Sequence, residues 1–190
     1  MINDKLARLI RCYLLLVISF SLVACGSSSK SETTKVDEPD SSTPDTTVGL
    51  VDNSGSADYK VIIYGNSHSA KLGDLLEQLI SSELTNAQVS TLTVSGRFLD
   101  EIVNESGNVE KLQQDNWSHA IFQGQKYSQS GSVNYSTSEA ERLIASAKEL
   151  DITPILFPEH PQRGDSKEGE LVYQLHLSIS EKETSCVAPV

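Results

Sequence analysis

The chain has 190 residues, 38% of them hydrophobic and 6% aromatic, with a formal net charge of −11. That balance can fill one hydrophobic core, and it excludes electrostatic binding to nucleic acid or anionic lipid. Three cysteines are too few for a disulfide scaffold. His68, His119, His160 and His176 lack neighbours at zinc-ligand spacing, so no metal and no organic cofactor is implied.

Lys5, Arg8 and Arg11 precede an apolar run from Cys12 to Val23. At about a dozen residues the run is too short for a permanent transmembrane helix, which needs roughly 20. It ends in Leu22-Val-Ala-Cys25, followed by Gly26 and serines, and this resembles the lipobox of bacterial lipoproteins. An ordinary secretory signal with a chance cysteine is the alternative, but charge, run length and cysteine placement all agree with the lipobox. The resemblance implies a signal peptide over 1–24, diacylglycerol on the Cys25 sulfur and an acyl chain on its amine. Several chains on one residue exceed the two signals that stable anchoring takes. The expected location is therefore extracytoplasmic, on a cell membrane or, since Gly26 replaces an aspartate, an outer membrane. Cleavage removes three positive charges and one negative from −11, leaving −13 on the mature chain.

Residues 25–58 are mostly Ser, Thr, Asp, Gly and Pro and read as a disordered tether. From residue 59 to 190 the pattern is that of one domain. Lys60 to Tyr64 predicts a strand, and Leu72, Leu75, Leu76, Leu79 and Ile80 predict a core-facing helix stripe. Val89 to Val94 is a second strand. Phe98, Leu99, Ile102 and Val103 open a helix that breaks near Gly107 and resumes through Leu112. Ala120 to Phe122 is a third strand, and Ser136-Thr-Ser-Glu139 reads as a capping box before a helix carrying Ala140, Leu143, Ile144 and Ala147. Ile152 to Phe157 is a fourth strand, Leu171 to Ile179 lies on a fourth helix, and Cys186 to Val190 is a fifth strand in which Cys186 packs as a small hydrophobe. Apolar strands alternating with amphipathic helices predict an α/β fold, a parallel sheet covered on both faces by right-handed crossovers.

Sites in such sheets lie outside the carboxyl ends of the strands. The rule selects Gly65 to Ser69, Ser95 to Arg97, Gln123 to Ser128 and Pro158 to Gln162. Ser67 follows a strand and a glycine turn at the start of a helix, where unpaired amides favour developing negative charge, as a nucleophile for acyl transfer requires. A Gly-Asn turn with a serine cap accounts for the same residues. Gly96 could present a bare amide, and Gln123 and Gln125 put two carboxamides near the same mouth. A serine, an amide and a carboxamide are the parts needed to attack an ester and hold the oxyanion. Gly65-Asn-Ser lacks the lysine and glycine spacing of a P-loop, which weighs against a phosphate or nucleotide binder.

At these residues the chain resembles the SGNH (GDSL-like) hydrolases. Gly65-Asn-Ser-His-Ser69 is similar to the Gly-Asn-Ser-His-Ser branch, Gly96 to the second-block glycine, and Trp117-Ser-His-Ala-Ile-Phe-Gln-Gly-Gln125 to that branch's third block. The resemblance implies a flavodoxin-like three-layer sandwich with a five-stranded parallel sheet, incomplete at its C-terminus. It also implies a serine esterase in which Ser67 attacks a small acyl ester, such as a carbohydrate O-acetyl group. The amides at Ser67 and Gly96 and the Gln125 carboxamide, or that of Gln123, would then stabilise the intermediate. The family's Asp-x-x-His base occurs nowhere in the chain. A truncated gene product, a substitute base and a non-catalytic relative are the three readings that follow. His160, after the fourth strand, is the best-placed substitute base, with Glu159 to orient it. His68 reads as a pocket or cap residue, and His176 as a surface or half-buried one. A surface glycan-binding module is the alternative function.

Overall fold

The computed structural model describes residues 49–84, 86–162 and 165–189. The expected signal peptide, the Cys25 lipidation site and most of the tether lie outside the described residues. The elements, in order, are β1 (Asp58–Gly65), a 3-10 turn (Ser67–Ser69), α1 (Leu72–Glu83), β2 (Gln88–Ser95), α2 (Leu99–Asn104) and a second 3-10 turn (Val109–Gln113). β3 (His119–Gln123), α3 (Ser138–Glu149), β4 (Thr153–Phe157), α4 (Ser166–Lys182) and β5 (Cys186–Val187) complete the domain. No helix of the described residues is long and apolar enough to cross a membrane.

The five strands form one parallel sheet in the order β2-β1-β3-β4-β5, the α/β class and flavodoxin-like order expected. The pleat sends alternate residues to opposite faces. Ile62, Tyr64, Ala120, Phe122 and Leu156 face Leu99, Ile102, Leu143, Ile144 and Ile179 of α2, α3 and α4. Val61, Ile63 and Ile121 face Leu72 and Leu76 of α1. Helix cover is therefore unequal. A right-handed crossover puts its helix on a side set by the direction of travel across the sheet. Only the step from β1 to β2 runs one way, so α1 alone takes its side.

Several local expectations are corrected. Leu75 and Leu79 are 52% and 59% exposed, so the α1 stripe is only partly used. This helix sits on edge strand β2, where Gly73 lies against Thr91 and Glu77 Oε1 accepts from Thr91 N and Oγ1. Serine 136 does not close a capping box: Ser136 Oγ accepts from Ser138 N, one residue short of Glu139, and Thr137 Oγ1 donates to Glu141. Strand β5 is shorter than read, since Pro189 has no N–H to continue the ladder, and Cys186 is half-buried. Asn53, assigned to the tether, is bound to the domain: its N–H donates to Thr153 Oγ1 and its Nδ2 to Ser118 O and Asp151 O. A polar strap held by hydrogen bonds has no hydrophobic periodicity to betray it.

Candidate active site

The chain leaves β1 toward β2 and returns past it to β3, so the switch point of the sheet lies between the carboxyl ends of β1 and β3. Gly65 closes β1 in a space that admits no side chain. A Cβ there would collide with the Ser69 hydroxyl and the Gln123 side-chain carbonyl. Asn66 is extended, and its Oδ1 accepts from His68 N at 2.9 Å, capping the 3-10 turn. Ser69 is buried, with Oγ donating to Asn66 O at 3.0 Å. Ser67 is left exposed on this braced turn, and its hydroxyl has no hydrogen-bond partner among the described residues.

Beside the turn, Glu159 gathers three side chains. It is 7% exposed, and its Oε1 accepts from Asn66 Nδ2 at 2.7 Å and from Gln123 Nε2 at 2.5 Å. Its Oε2 lies 2.6 Å from His68 Nδ1. Gln123 Oε1 in turn accepts from Asn66 N at 2.8 Å. A buried carboxylate is tolerated when donors saturate it, and this one is held by groups from β1, β3 and their loops. His160, exposed, stacks on His68 with ring centroids 5.0 Å apart, and its Nδ1 is 3.3 Å from Pro161 O.

Asn66, His68, Glu159 and His160 form one wall of a cavity of about 890 Å³. Phe98, Lys126, Tyr127 and Tyr135 contribute to the others. Ser67 stands exposed between two lining residues and is not itself one of them. Lys126 Nζ binds Asp100 Oδ2 at 2.6 Å and lies 5.0 Å from the Phe98 ring centre; the Asp100 hydrogen bond holds its pKa above the ordinary lysine value. Burial, helped by the Glu168 carboxylate that its hydroxyl donates to, pushes the Tyr127 phenol up to about 12. Near neutral pH it is a donor and not a base. No group of three metal-ligating side chains is present among the described residues.

The sequence-selected strand ends do converge on this mouth, but their roles are redistributed. Gly96 N donates to Gly65 O at 3.0 Å, continuing the β1–β2 pairing, so its amide is already engaged. Gln125 is buried, and its Nε2 donates to Lys126 O and Ser136 O, which folds the β3–α3 loop instead of facing the cavity. Gly124, at φ +97°, makes the bend that separates the two glutamines. His160 has no carboxylate partner, because Glu159 binds His68. His176 is 1% exposed, not a surface residue; its Nδ1 donates to Val172 O, and burial holds its pKa down. His119 lies at the opposite end of the sheet, stacked on Tyr59. The His68–Glu159 pair is not legible in the sequence, where Glu159 adjoins His160 and lies 91 residues from His68. The available signal is a His and a Glu just past the carboxyl ends of β1 and β4, the two strands that flank β3.

The chain matches no protein-family model, and no curated protein matches it. Its structure is similar to the psychrotrophic esterase EstA from Pseudoalteromonas sp., inhibited by monoethylphosphonate, with a TM-score of 0.51 at 14% identity, covering 70% of this chain and 78% of that one. It is also similar to a candidate SGNH hydrolase from Slackia heliotrinireducens, with a TM-score of 0.50 at 17% identity, covering 70% and 79%. At such identities the likeness is one of fold alone: this chain shares the parallel α/β sandwich of these two structures.

Proposed function

We propose that the protein is a lipid-anchored, extracytoplasmic serine esterase of the SGNH type, Gly-Asn-Ser-His-Ser branch, acting on small acyl esters such as carbohydrate O-acetyl groups. The observation that carries this reading is the exposed Ser67 on a braced turn beside the switch-point cavity, in a fold shared with esterases. Ser67 Oγ attacks the acyl carbon, and the Ser67 main-chain amide, left without an acceptor among the described residues while Asn66 N, His68 N and Ser69 N are engaged, is the donor for the charge that develops. Phe98, Tyr127 and Tyr135 offer apolar ring surface among polar side chains, a lining suited to a sugar. Turnover by this chain is slow, since no Asp-x-x-His occurs in it and no base is bonded to the Ser67 hydroxyl among the described residues. Hydrolysis of 4-nitrophenyl acetate and of acetylated xylan by the chain and its Ser67→Ala variant tests the reading. Turnover that survives the substitution defeats it.

The unengaged Ser67 hydroxyl also favours a second reading, a glycan-binding module that uses the cavity without turnover. Saturable glycan binding unaffected by Ser67→Ala, with no hydrolysis, selects it. Anchoring through Cys25 is tested by metabolic labelling with an alkynyl fatty acid; label retained in Cys25→Ser removes that part of the proposal.

A further inference from the structure

Glu159 and His68 lie 91 residues apart in sequence and 2.6 Å apart in space. The Glu159 Oε1 atom already takes the Asn66 and Gln123 amides, so Oε2 is the oxygen left for the imidazole. A carboxylate can only accept, so His68 Nδ1 carries the hydrogen and Nε2 keeps its lone pair. The His68 side chain is 52% exposed and lines the cavity, which puts water within reach of that lone pair. Acid, imidazole Nδ1 and an unblocked Nε2 are the components of a hydrogen-bonded general base.

We propose that the Glu159–His68 pair is the general base of this site, serving the water that releases the acyl group from Ser67; the inference rests on the esterase reading above. Water is the partner because consecutive side chains on a tight turn diverge, and no hydrogen bond joins Ser67 to the imidazole among the described residues. A lone pair of the water oxygen forms the bond to the acyl carbon while its proton passes to His68 Nε2. The carbonyl π pair moves onto the carbonyl oxygen. When that pair returns, the bond from carbon to Ser67 Oγ breaks with its electrons on Oγ, which takes a proton from solvent. The imidazolium gives its proton to solvent. One water is consumed, one carboxylic acid is released and the serine hydroxyl is restored.

The other charged and titratable groups around the cavity fit this role less well. Lys126 is paired with Asp100 and Glu101, and Glu101 also meets Arg97. The Tyr127 phenol donates to Glu168. His160 stacks on His68 but has only the Pro161 carbonyl on its Nδ1.

The test mixes the full chain and its Ser67→Ala, His68→Gln, Glu159→Gln and His160→Gln variants with 4-nitrophenyl acetate. Nitrophenolate release and the intact mass of the protein are followed together. His68→Gln, at a half-exposed side chain, should release about one equivalent and then keep an acetyl group on Ser67, with deacetylation slowed about 100-fold. Glu159→Gln should fall between it and the unmodified chain. Ring nitrogen shifts at pH 8, independent of turnover, should show the Nδ1–H tautomer of His68 and its loss in Glu159→Gln. Unslowed deacetylation in His68→Gln, slowing confined to His160→Gln, or an Nε2–H tautomer in the unmodified chain overturns the pair. If Ser67 acquires no acetyl group in any protein and nothing turns over, the esterase reading itself fails and the base role falls with it.

Discussion

Replacing His176 with leucine should make the domain more stable, and increasingly so in acid. The His176 side chain is 1% exposed on α4; its Nδ1–H donates to Val172 O at 2.7 Å, while Nε2 is buried without a partner among the described residues. An unsatisfied buried acceptor costs about 1–3 kcal/mol, and the hydrogen bond lost with it is worth about 1 kcal/mol. Leucine is also the better helix former by a few tenths of a kcal/mol. The expected gain at pH 8 is therefore about 1 kcal/mol. Burial holds the folded pKa of His176 below the ordinary imidazole value, against the opposing influence of the Val172 carbonyl and of Glu159. Below about pH 6.5 the unfolded chain binds a proton at this residue that the folded chain refuses, so stability falls as pH drops toward the depressed folded value. At pH 5, about 1.5 units lower, the leucine variant should gain up to about 2 kcal/mol more over the parent. Urea unfolding from pH 8 to pH 5, followed by the fluorescence of Trp117, the single tryptophan, measures both quantities. A gap that stays constant with pH, or a variant less stable throughout, would refute the reasoning.

Other outcomes follow from single positions. Ser67→Ala should cut acetyl-ester turnover by about 100-fold or more and, because the side chain is exposed and unbonded, leave the urea midpoint unchanged. In Gly65→Ala the new methyl must displace the Ser69 hydroxyl and the Gln123 carbonyl from their bonds to Asn66; a loss of about 2–3 kcal/mol is expected, and an unchanged urea midpoint would contradict the packing. Gly124→Ala puts a side chain at φ +97° and should destabilise by about 1 kcal/mol, read in the same assay. Spectrophotometric titration should find Tyr127 ionising near 12, with that component absent in Tyr127→Phe; its appearance near 10 would mean that the phenol is not held as described.

Most of the secondary structure was legible because the signals are local. Period-two and period-3.6 patterns placed every strand and helix within a few residues, and Gly107, at φ +84°, broke the chain after α2 where the sequence indicated. The errors fell where partners are distant. Leu75 and Leu79 satisfy helical periodicity but face solvent because α1 packs on the sheet through Leu72 and Leu76 and is the one helix on that face among the described residues, with no neighbouring helix to cover its flank. Gln123 and Gln125 are equivalent in composition, yet the Gly124 bend sends one to Glu159 and the other into its own loop.

The chain order of apolar and polar residues was enough to determine a parallel α/β domain, the strand ends where a site could form and the prominence of Ser67. These depend on backbone conformations and burial that each short segment prefers for itself. Tertiary structure alone decided which groups meet there: that the Gly96 amide is taken by Gly65, that three helices share one face of the sheet, and that Glu159 binds His68 and not its neighbour His160. Such pairings follow from the strand order and crossover hand, which bring residues about 90 apart into contact at distances no local pattern encodes.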